Sequence, residues 1–152
     1  MLPTRTITRA VAAALAVTAA ATTSACGSPD VTKARLQTAL VPTFENLYVQ
    51  QATILGIPGI TASGIGASAD CDRGGPKVPD VGAGPNWICM ITWRDNHGQQ
   101  QTGKFEVKVR TDATYVAGGP SKIVGLSTIT DAHGKDVPNP VFEFDGAINP
   151  AG

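Results

Sequence analysis

A helix is predicted from about 29 to 54, because mostly apolar side chains recur there every three or four residues, which is the spacing of one stripe along an α-helix. The residues on this stripe are Leu36, Leu40, Phe44, Leu47, Gln51 and Leu55. Ser28-Pro29-Asp30 predicts the helix start, because Ser favours the N-cap, Pro the first helical position and an acid the first turn. Pro42 lies inside the stretch and predicts a kink or break near Leu40–Val41, since proline donates no backbone hydrogen bond.

Further along the chain the hydrophobic period changes to two, which is typical of strands with one buried face. The buried phase carries Trp87, Cys89, Ile91 and Trp93 in one strand and Phe105, Val107 and Val109 in the next. The opposite phase carries Ile88, Met90, Thr92 and Arg94, then Lys104, Glu106, Lys108 and Arg110. Residues 95–103 are predicted to join these two strands as a long hairpin loop.

Glycine and proline divide the rest of the chain into loops and short strands. Residues 56–66 and 73–85 are predicted loops, with an edge strand near Ile65–Cys71 between them. Further short strands are expected at Tyr115–Ala117, Ile123–Thr130 and Val141–Phe144. A helix followed by a meander of about four to five short strands predicts an α+β fold. The N-terminal helix would pack on one face of an antiparallel sheet in a cystatin-like layout.

The first 25 residues have the pattern of a secretory signal peptide. Arg5 and Arg9 precede an apolar run from Ala10 to Ala21, and small residues follow at positions 22–25. A transmembrane anchor is the alternative, but spanning a bilayer takes about 20 apolar residues. The run from Ala10 to Ala21 is shorter and consists mostly of alanine. Export of the chain is therefore predicted.

The residues that follow, Cys26-Gly27-Ser28 after Ala25, resemble the lipobox of bacterial lipoproteins. The resemblance implies that Ala25 is the last residue removed and that Cys26 becomes the lipidated N-terminus, with acyl chains such as palmitate. Thr23 departs from the usual Leu, so ordinary cleavage to a secreted protein with a free Cys26 is the alternative. Two acyl chains would hold the protein on the extracellular face of the cell membrane. The chain then divides into a signal peptide (1–25), a short tether (26–29) and one exterior domain (30–152).

The cysteine count favours the same interpretation. The chain has three cysteines, and an odd cysteine in an exported protein needs a use. With Cys26 lipidated, Cys71 and Cys89 remain as a pair in an oxidising compartment, which predicts a structural disulfide. A metal pair or a redox pair is the alternative, but the two thiols lack a nearby CxxC or a matched His.

Composition limits the possible partners. The chain has 42% hydrophobic residues and a formal net charge of 0, so intrinsic disorder is not expected. Loss of Arg5 and Arg9 reduces the 12 basic residues to ten against 12 acidic ones, which gives the mature chain a net charge of −2. This balance argues against electrostatic capture of nucleic acid or anionic lipid.

Several segments of the mature chain share one family resemblance. They are Arg73-Gly74-Gly75, Asp80–Gly84, Trp87-Ile88-Cys89, Thr111–Tyr115, Asn139-Pro140 and Asp145-Gly146. In these segments the chain resembles small lipoproteins of high-GC Gram-positive bacteria. Members of that family carry a further cysteine pair that would fall near Thr114 and Ala147, and this chain has neither cysteine. The resemblance implies no catalytic residues.

Both histidines lie in turns of similar sequence, Asp95-Asn96-His97-Gly98 and Asp131-Ala132-His133-Gly134. Asp95, His97, Asp131 and His133 are therefore weak candidates for a metal site or an acid–base site. The alternative is ordinary β-turn chemistry, in which Asp favours the first position and Gly the fourth. That alternative is preferred, because turns of this kind recur for backbone reasons and need no shared ligand.

The remaining candidates have less support. Ser63 is not part of a GxSxG nucleophile elbow, and the glycines at 64–66 and 82–84 lack the Lys and following helix of a phosphate loop. Asp70 and Asp72 could bind Ca²⁺ but lack EF-hand spacing. An aromatic set could form a ligand platform, but most of it falls on the buried phase of the strands, which favours a core. That set is Trp87, Trp93, Phe105 and Tyr115.

The sequence thus predicts a membrane-tethered lipoprotein of the cell envelope that is not an enzyme and needs no cofactor. It would bind another envelope protein or a small ligand through the loops 56–66 and 73–86, because scaffolds of this kind place recognition on loops. A small-molecule or metal carrier with a pocket between helix and sheet is an alternative. A hydrolase that uses His97 or His133 is a third and less favoured possibility.

Overall fold

In the computed structural model, residues 30–148 are described. The elements in chain order are α1 (Lys33–Ile54), α2 (Ala62–Ile65), β1 (Ser68–Arg73), β2 (Gly84–Arg94), β3 (Gln100–Val109), β4 (Thr114–Gly118), α3 (Ser121–Val124), β5 (Thr128–Thr130), β6 (Asp136–Pro138) and β7 (Glu143–Ala147). Five strands form an antiparallel sheet in the order β1-β2-β3-β4-β7, and β5 and β6 form a separate hairpin. The predicted α+β fold, with one long helix on an antiparallel sheet, is confirmed.

α1 begins later than the sequence pattern predicts. Its N-cap is Thr32, which has an extended backbone and a side chain that caps the first turn. The predicted start at Ser28-Pro29-Asp30 is therefore wrong, although Ser28 and Pro29 themselves lie outside the described residues. The cause is a tertiary contact: Val31 accepts the backbone N–H of Gly82, and Thr32 forms a β-bridge with Val81, which holds this segment extended.

α1 continues through Pro42 as one helix, so the break predicted near Leu40–Val41 does not occur. Leu36 and Leu40 on one side of the proline and Phe44 on the other are all fully buried. Because the stripe is anchored on both sides, burial of these side chains offsets the backbone hydrogen bond that Pro42 cannot donate.

Three predicted segments between α1 and β3 differ in their boundaries or content from the structure. The β2–β3 connection is shorter than the predicted loop 95–103, since β3 already begins at Gln100. The predicted loop 56–66 contains the short helix α2, capped by Thr61. The edge strand expected near Ile65–Cys71 is present as β1, displaced by a few residues.

The C-terminal region differs most from the prediction. Ile123–Thr130 is not one strand: α3 occupies its beginning and β5 its end, with Gly125 between them at φ +93°. β5 pairs with β6, a strand that the sequence pattern did not indicate. The last strand begins at Glu143 instead of Val141, because the Val141 N–H donates to the Asn139 side chain and not to a strand partner.

The core lies between α1 and the sheet. The Phe44 ring contacts Trp93 and Phe105, with centroid distances of 4.9 and 5.6 Å. The four aromatic residues weighed as a ligand platform are all buried, which confirms the core interpretation: Trp87, Trp93, Phe105 and Tyr115. Side chains thus fill the interface where the carrier hypothesis expects a pocket.

The predicted disulfide between Cys71 and Cys89 is confirmed. The two cysteines are direct cross-strand partners in the β1–β2 register, and both are fully buried. The bond therefore joins the edge strand β1 covalently to its neighbour β2.

Polar side chains cover the outer edge of β1. The Cys71 N–H donates to Gln37 Oε1 at 3.0 Å, and the Ala67 N–H, just before the strand, donates to Glu45 Oε1 at 2.8 Å. Lys33 Nζ forms an ion pair with Asp70 at 2.6 Å. α1 therefore lies along the edge strand as well as over the sheet, and the edge is partly closed to pairing with another chain.

Candidate functional site

The chain reaches α1 beside the loop that joins β1 to β2, residues 74–83, which we call the proximal loop. The Gly82 N–H donates to Val31 O at 2.8 Å, and the Lys33 N–H donates to Asp80 O at 3.0 Å. These backbone bonds place the proximal loop at the N-terminal end of α1. A surface cavity of about 440 Å³ lies at this contact, lined by Asp30–Thr32, Val81–Ala83 and Thr111.

Arg73 holds the proximal loop in one conformation. Its guanidinium donates to Val81 O and Ala83 O, both at 2.7 Å, and its backbone N–H donates to Asp80 Oδ1 at 2.9 Å. A Cβ on Gly84 would lie 2.9 Å from Arg73 Nη2, so a larger residue there would displace the guanidinium from this position. The loop is therefore ordered by side-chain bonds despite its glycine and proline content.

At the C-terminal end of α1, a buried amide pair joins the helix to the C-terminal region. Gln51 Nε2 donates to Asn139 Oδ1 at 2.9 Å and to Val124 O at 2.7 Å. Asn139 Nδ2 donates to Val124 O and Leu126 O, each at 2.9 Å. Both side chains are buried, and their hydrogen bonds hold the segment around α3 against the last turns of the helix.

Three exposed apolar side chains lie on the segments that this amide pair joins, and together we call them the distal surface. They are Leu55, Ile123 and Leu126, which are 39%, 43% and 69% exposed. Leu55 is the C-cap of α1, and the other two flank the carbonyls that bind Gln51 and Asn139. The tip of the β5–β6 hairpin lies nearby, since the Ala132 N–H donates to Ile54 O at 2.9 Å.

The two loops expected to form one binding surface lie at opposite ends of α1. The proximal loop contacts residues 31–33, whereas residues 56–61 follow directly after Ile54. A helix of 22 residues is about 33 Å long at 1.5 Å per residue. Residues 56–61 and the proximal loop are therefore separated by about the length of α1, although the chain returns along the helix through residues 62–67, where the Ala67 N–H donates to Glu45. Small cavities of about 280 and 130 Å³ lie around residues 56–61.

The two histidine turns have the same backbone arrangement. Asp95 Oδ1 accepts the backbone N–H of His97 and Gln99, and Asp131 Oδ1 accepts those of His133 and Lys135. The four candidates are thus not brought together as a metal site. Within residues 30–148, no group of three or more His, Cys, Asp or Glu side chains is arranged to hold a metal ion. The aspartates instead organise their own turns.

These bonds also explain the electrostatics of the turns. Desolvation acts to raise the pKa of Asp95, but hydrogen bonds from Gln101, Gln99 and His97 together lower that pKa below its ordinary value. The backbone N–H groups of Lys135 and His133 lower the pKa of Asp131. The lowered pKa at both positions thus has the same cause, the hydrogen bonds that each carboxylate accepts within its own turn.

The other candidate residues have structural partners. Ser63 lies in α2, where its Oγ is 3.4 Å from Thr61 Oγ1. Asp70 pairs with Lys33, and Asp72 Oδ1 accepts the Gly75 N–H at 2.6 Å.

Sequence analysis did not assign a role to Arg73 or to the Gln51–Asn139 pair. A signal existed for Gln51, because a polar side chain on a buried stripe needs an internal hydrogen-bond partner. Its partner could not be found from the pattern, since Asn139 lies 88 residues further along the chain. Arg73 stands among glycines and prolines, and only the folded loop reveals the carbonyls that it binds.

Comparisons with protein-family models, curated proteins and solved structures find no match. Within residues 30–148, no helix has the length and apolar character to cross a membrane. The predicted signal peptide, the predicted lipidation site Cys26 and the predicted tether at 26–29 lie outside the described residues. The resemblance to small bacterial lipoproteins therefore stays a prediction.

Proposed function

We propose that this chain is a lipid-anchored protein of the bacterial cell envelope, and that its exterior domain is a non-catalytic interaction module. Cys26 carries the lipid, and the domain faces outward from the cell membrane. The partner is another envelope protein. The observation that supports this proposal is the placement of two features at opposite ends of α1. Residues 30–32, which follow the predicted tether, lie at the N-terminal end of the helix, and the distal surface lies at the C-terminal end.

The distal surface is suited to contact with a protein. Leu126 is 69% exposed although the carbonyl groups on its segment are held by buried amides, so the apolar side chain is presented on a fixed backbone. Pre-ordering of this kind reduces the entropy lost on binding. The cavities at this end, of about 280 and 130 Å³, lie below the lower limit of about 300 Å³ for small-ligand pockets, which favours a protein partner over a small molecule at the distal surface.

The alternatives have less support from the geometry. A small-molecule carrier needs a pocket between helix and sheet, and there Phe44, Trp93 and Phe105 are in ring contact. A hydrolase that uses His97 or His133 needs a nucleophile near one of them. Asp95 and Asp131, the acids beside the histidines, are engaged with turn backbone.

The lipid anchor is tested by the intact mass of the protein, made with its own signal in a Gram-positive host and extracted from membranes. The expected species begins at Cys26, carries two acyl chains and lacks the two hydrogens lost on forming the Cys71–Cys89 bond. Cys26→Ser is the control and should carry no acyl mass. An unlipidated wild-type protein in the medium would refute the anchor.

The interaction module is tested separately with a photo-crosslinking amino acid at Leu126 in intact cells. The matched position is Lys104, which is also exposed but lies on the sheet. A discrete crosslinked product is expected from position 126 and not from 104, and Ile123→Ser should reduce its yield. Equal labelling from both positions would contradict a specific distal contact.

A further inference from the structure

The proximal loop carries two exposed apolar side chains of its own. Val78 is 40% exposed and Val81 is 50% exposed. The residues around Val78 are also exposed: Pro76 and Lys77 precede it, and Pro79 follows it. The valines belong to neither the core nor the distal surface, so they are not needed to fill the interior of the described domain.

The loop presents these valines on an ordered backbone. Arg73 binds the carbonyl of Val81 itself, and Trp87 Nε1 donates to Gly82 O at 3.0 Å. The Val78 N–H donates to Gly75 O at 3.0 Å. Because the backbone is bonded in this way, the loop cannot turn the two side chains inward without breaking several hydrogen bonds.

The length of the tether limits where this loop can lie. Cys26 is four residues before Asp30, and four residues span at most about 14 Å when fully extended. Val31 and Lys33 are hydrogen-bonded to the proximal loop itself. If Cys26 is anchored in the bilayer, this short span keeps the proximal loop close to the lipid surface, together with Thr111 of the β3–β4 turn, which lines the same cavity.

We propose that the proximal loop docks on the membrane that holds Cys26, with Val78 and Val81 in the interfacial layer of the lipid; this inference rests on the lipid anchor proposed above. The charged side chains in the loop are Lys77 and Asp80, which balance each other, so apolar contact is the main attraction. Two valines would bind a membrane only weakly from solution. A short tether raises their effective concentration at the surface to about the millimolar range, where weak contacts suffice.

Docking would orient the whole domain. With the proximal loop on the lipid, the N-terminal end of α1 faces the membrane and the distal surface points away from it. The proposal therefore assigns different roles to the two exposed apolar sites, lipid contact at one end of α1 and protein contact at the other.

The test uses the lipidated protein reconstituted in vesicles of phosphatidylcholine with a minor fraction of phosphatidylglycerol. A nitroxide is attached at Val81→Cys or, as the matched control, at Leu126→Cys. In this protein Cys26 is acylated and Cys71 is bonded to Cys89, so the introduced thiol is the one that reacts. Collision of the nitroxide with oxygen and with a water-soluble nickel complex reports its depth in the membrane.

The expected result is a nickel collision rate several-fold lower at position 81 than at position 126, together with a higher oxygen collision rate at 81. Equal rates at both positions, in protein that floats with the vesicles, would overturn the docking proposal and leave the lipid anchor intact. A second variant, Val78→Ser with the label at 81, should partly restore nickel access.

A second measurement separates docking from natural lipidation. The mature chain is coupled through the Cys26 thiol to a maleimide lipid, so that a tether exists whether or not a host lipidates the protein. Docking predicts slower amide hydrogen exchange in residues 74–83 than in the same protein without vesicles, with residues 55–61 unchanged. Unchanged exchange in residues 74–83 would refute docking even for a chain that is anchored by design.

Discussion

At the scale of single residues, the buried polar groups determine how the C-terminal region is held. Asn139 uses its side chain for four contacts: it accepts from Gln51 and the Val141 N–H, and it donates to Val124 O and Leu126 O. The Asn139 side chain thereby bonds backbone groups of Val124, Leu126 and Val141 that have no strand partner. A buried polar group left without its partner costs about 1–3 kcal/mol.

Asn139→Ala is therefore expected to lower the free energy of unfolding by about 2–3 kcal/mol, because it leaves the buried Val141 N–H without its acceptor and removes one of the two acceptors of the buried Gln51 amide. Urea denaturation measures the effect. Asn46→Ala is the matched control, since Asn46 is exposed on α1 and the same substitution there should change stability little. A loss at position 139 no larger than at position 46 would mean that the amide network is not stabilising.

Acid should weaken the two histidine turns. The pKa values of Asp95 and Asp131 are lowered in the folded protein relative to an ordinary value of 3.8. A lowered folded-state pKa stabilises the protein fully above the unfolded-state pKa, and this contribution disappears as pH falls through the folded-state value. The double variant Asp95→Asn/Asp131→Asn is therefore expected to be less stable than wild type near neutral pH, with the difference shrinking below pH 3.8.

Thermal unfolding between neutral and strongly acidic pH checks this expectation. Glu143→Gln/Asp145→Asn removes the same number of charges from β7 and is the control for a general effect of net charge. A difference between wild type and the turn variant that stays constant with pH would contradict the role of the ionised carboxylates.

At the scale of elements, α1 packs its apolar stripe on the sheet and uses a polar flank to cover β1. Gln37 and Glu45 accept backbone N–H groups of the outer edge that would otherwise be open to another strand. The sequence pattern indicated the stripe but not this flank, because helical periodicity does not say which neighbouring backbone a polar side chain will meet.

Gln37→Leu should loosen the edge strand. Loss of the acceptor for the Cys71 N–H is expected to speed hydrogen exchange of that amide about tenfold, corresponding to roughly 1.4 kcal/mol. Gln50→Leu, on an exposed position of the same helix, is the matched control and should leave the Cys71 amide unchanged. Equal exchange in the two variants would show that Gln37 does not protect the strand.

At the scale of the whole molecule, the disulfide and α1 together give the domain two different ends. The Cys71–Cys89 bond fixes β1, and β1 in turn leads directly into the proximal loop through Arg73. The distal surface depends instead on the Gln51–Asn139 pair. Different interactions therefore hold the two ends. Loss of the disulfide at the proximal end is expected to leave the distal surface in place.

Cys71→Ala/Cys89→Ala is expected to lower the free energy of unfolding by about 3 kcal/mol, since a bridge across 18 residues restricts the unfolded chain by roughly that amount. Denaturation of the oxidised protein and of the variant measures the loss. Crosslinking from Leu126 should persist in the variant under conditions where it stays folded. Loss of that crosslink from the folded variant would contradict independent ends.

Much of the fold was predictable because the signals are local. The stripe of α1 and the alternation in β2 and β3 follow from the helix and strand periods, and the buried faces agree with them at Phe44, Trp93 and Phe105. The segment Ile123–Thr130 was mispredicted because its apolar residues fit a strand equally well. Gly125 and the pairing of β5 with β6 decide otherwise.

The sequence by itself determined the helix-then-strands order, the buried phases and the disulfide, because these depend on backbone periodicity and on Cys71 and Cys89 being the two cysteines that follow the predicted lipobox. Tertiary structure alone decided where α1 begins, since Val31 and Thr32 are held extended by the proximal loop. It also decided that Gln51 meets Asn139 and that the two glycine-rich loops lie at opposite ends of the helix. The physical reason is the same in each case: these features depend on contacts between residues that are distant along the chain.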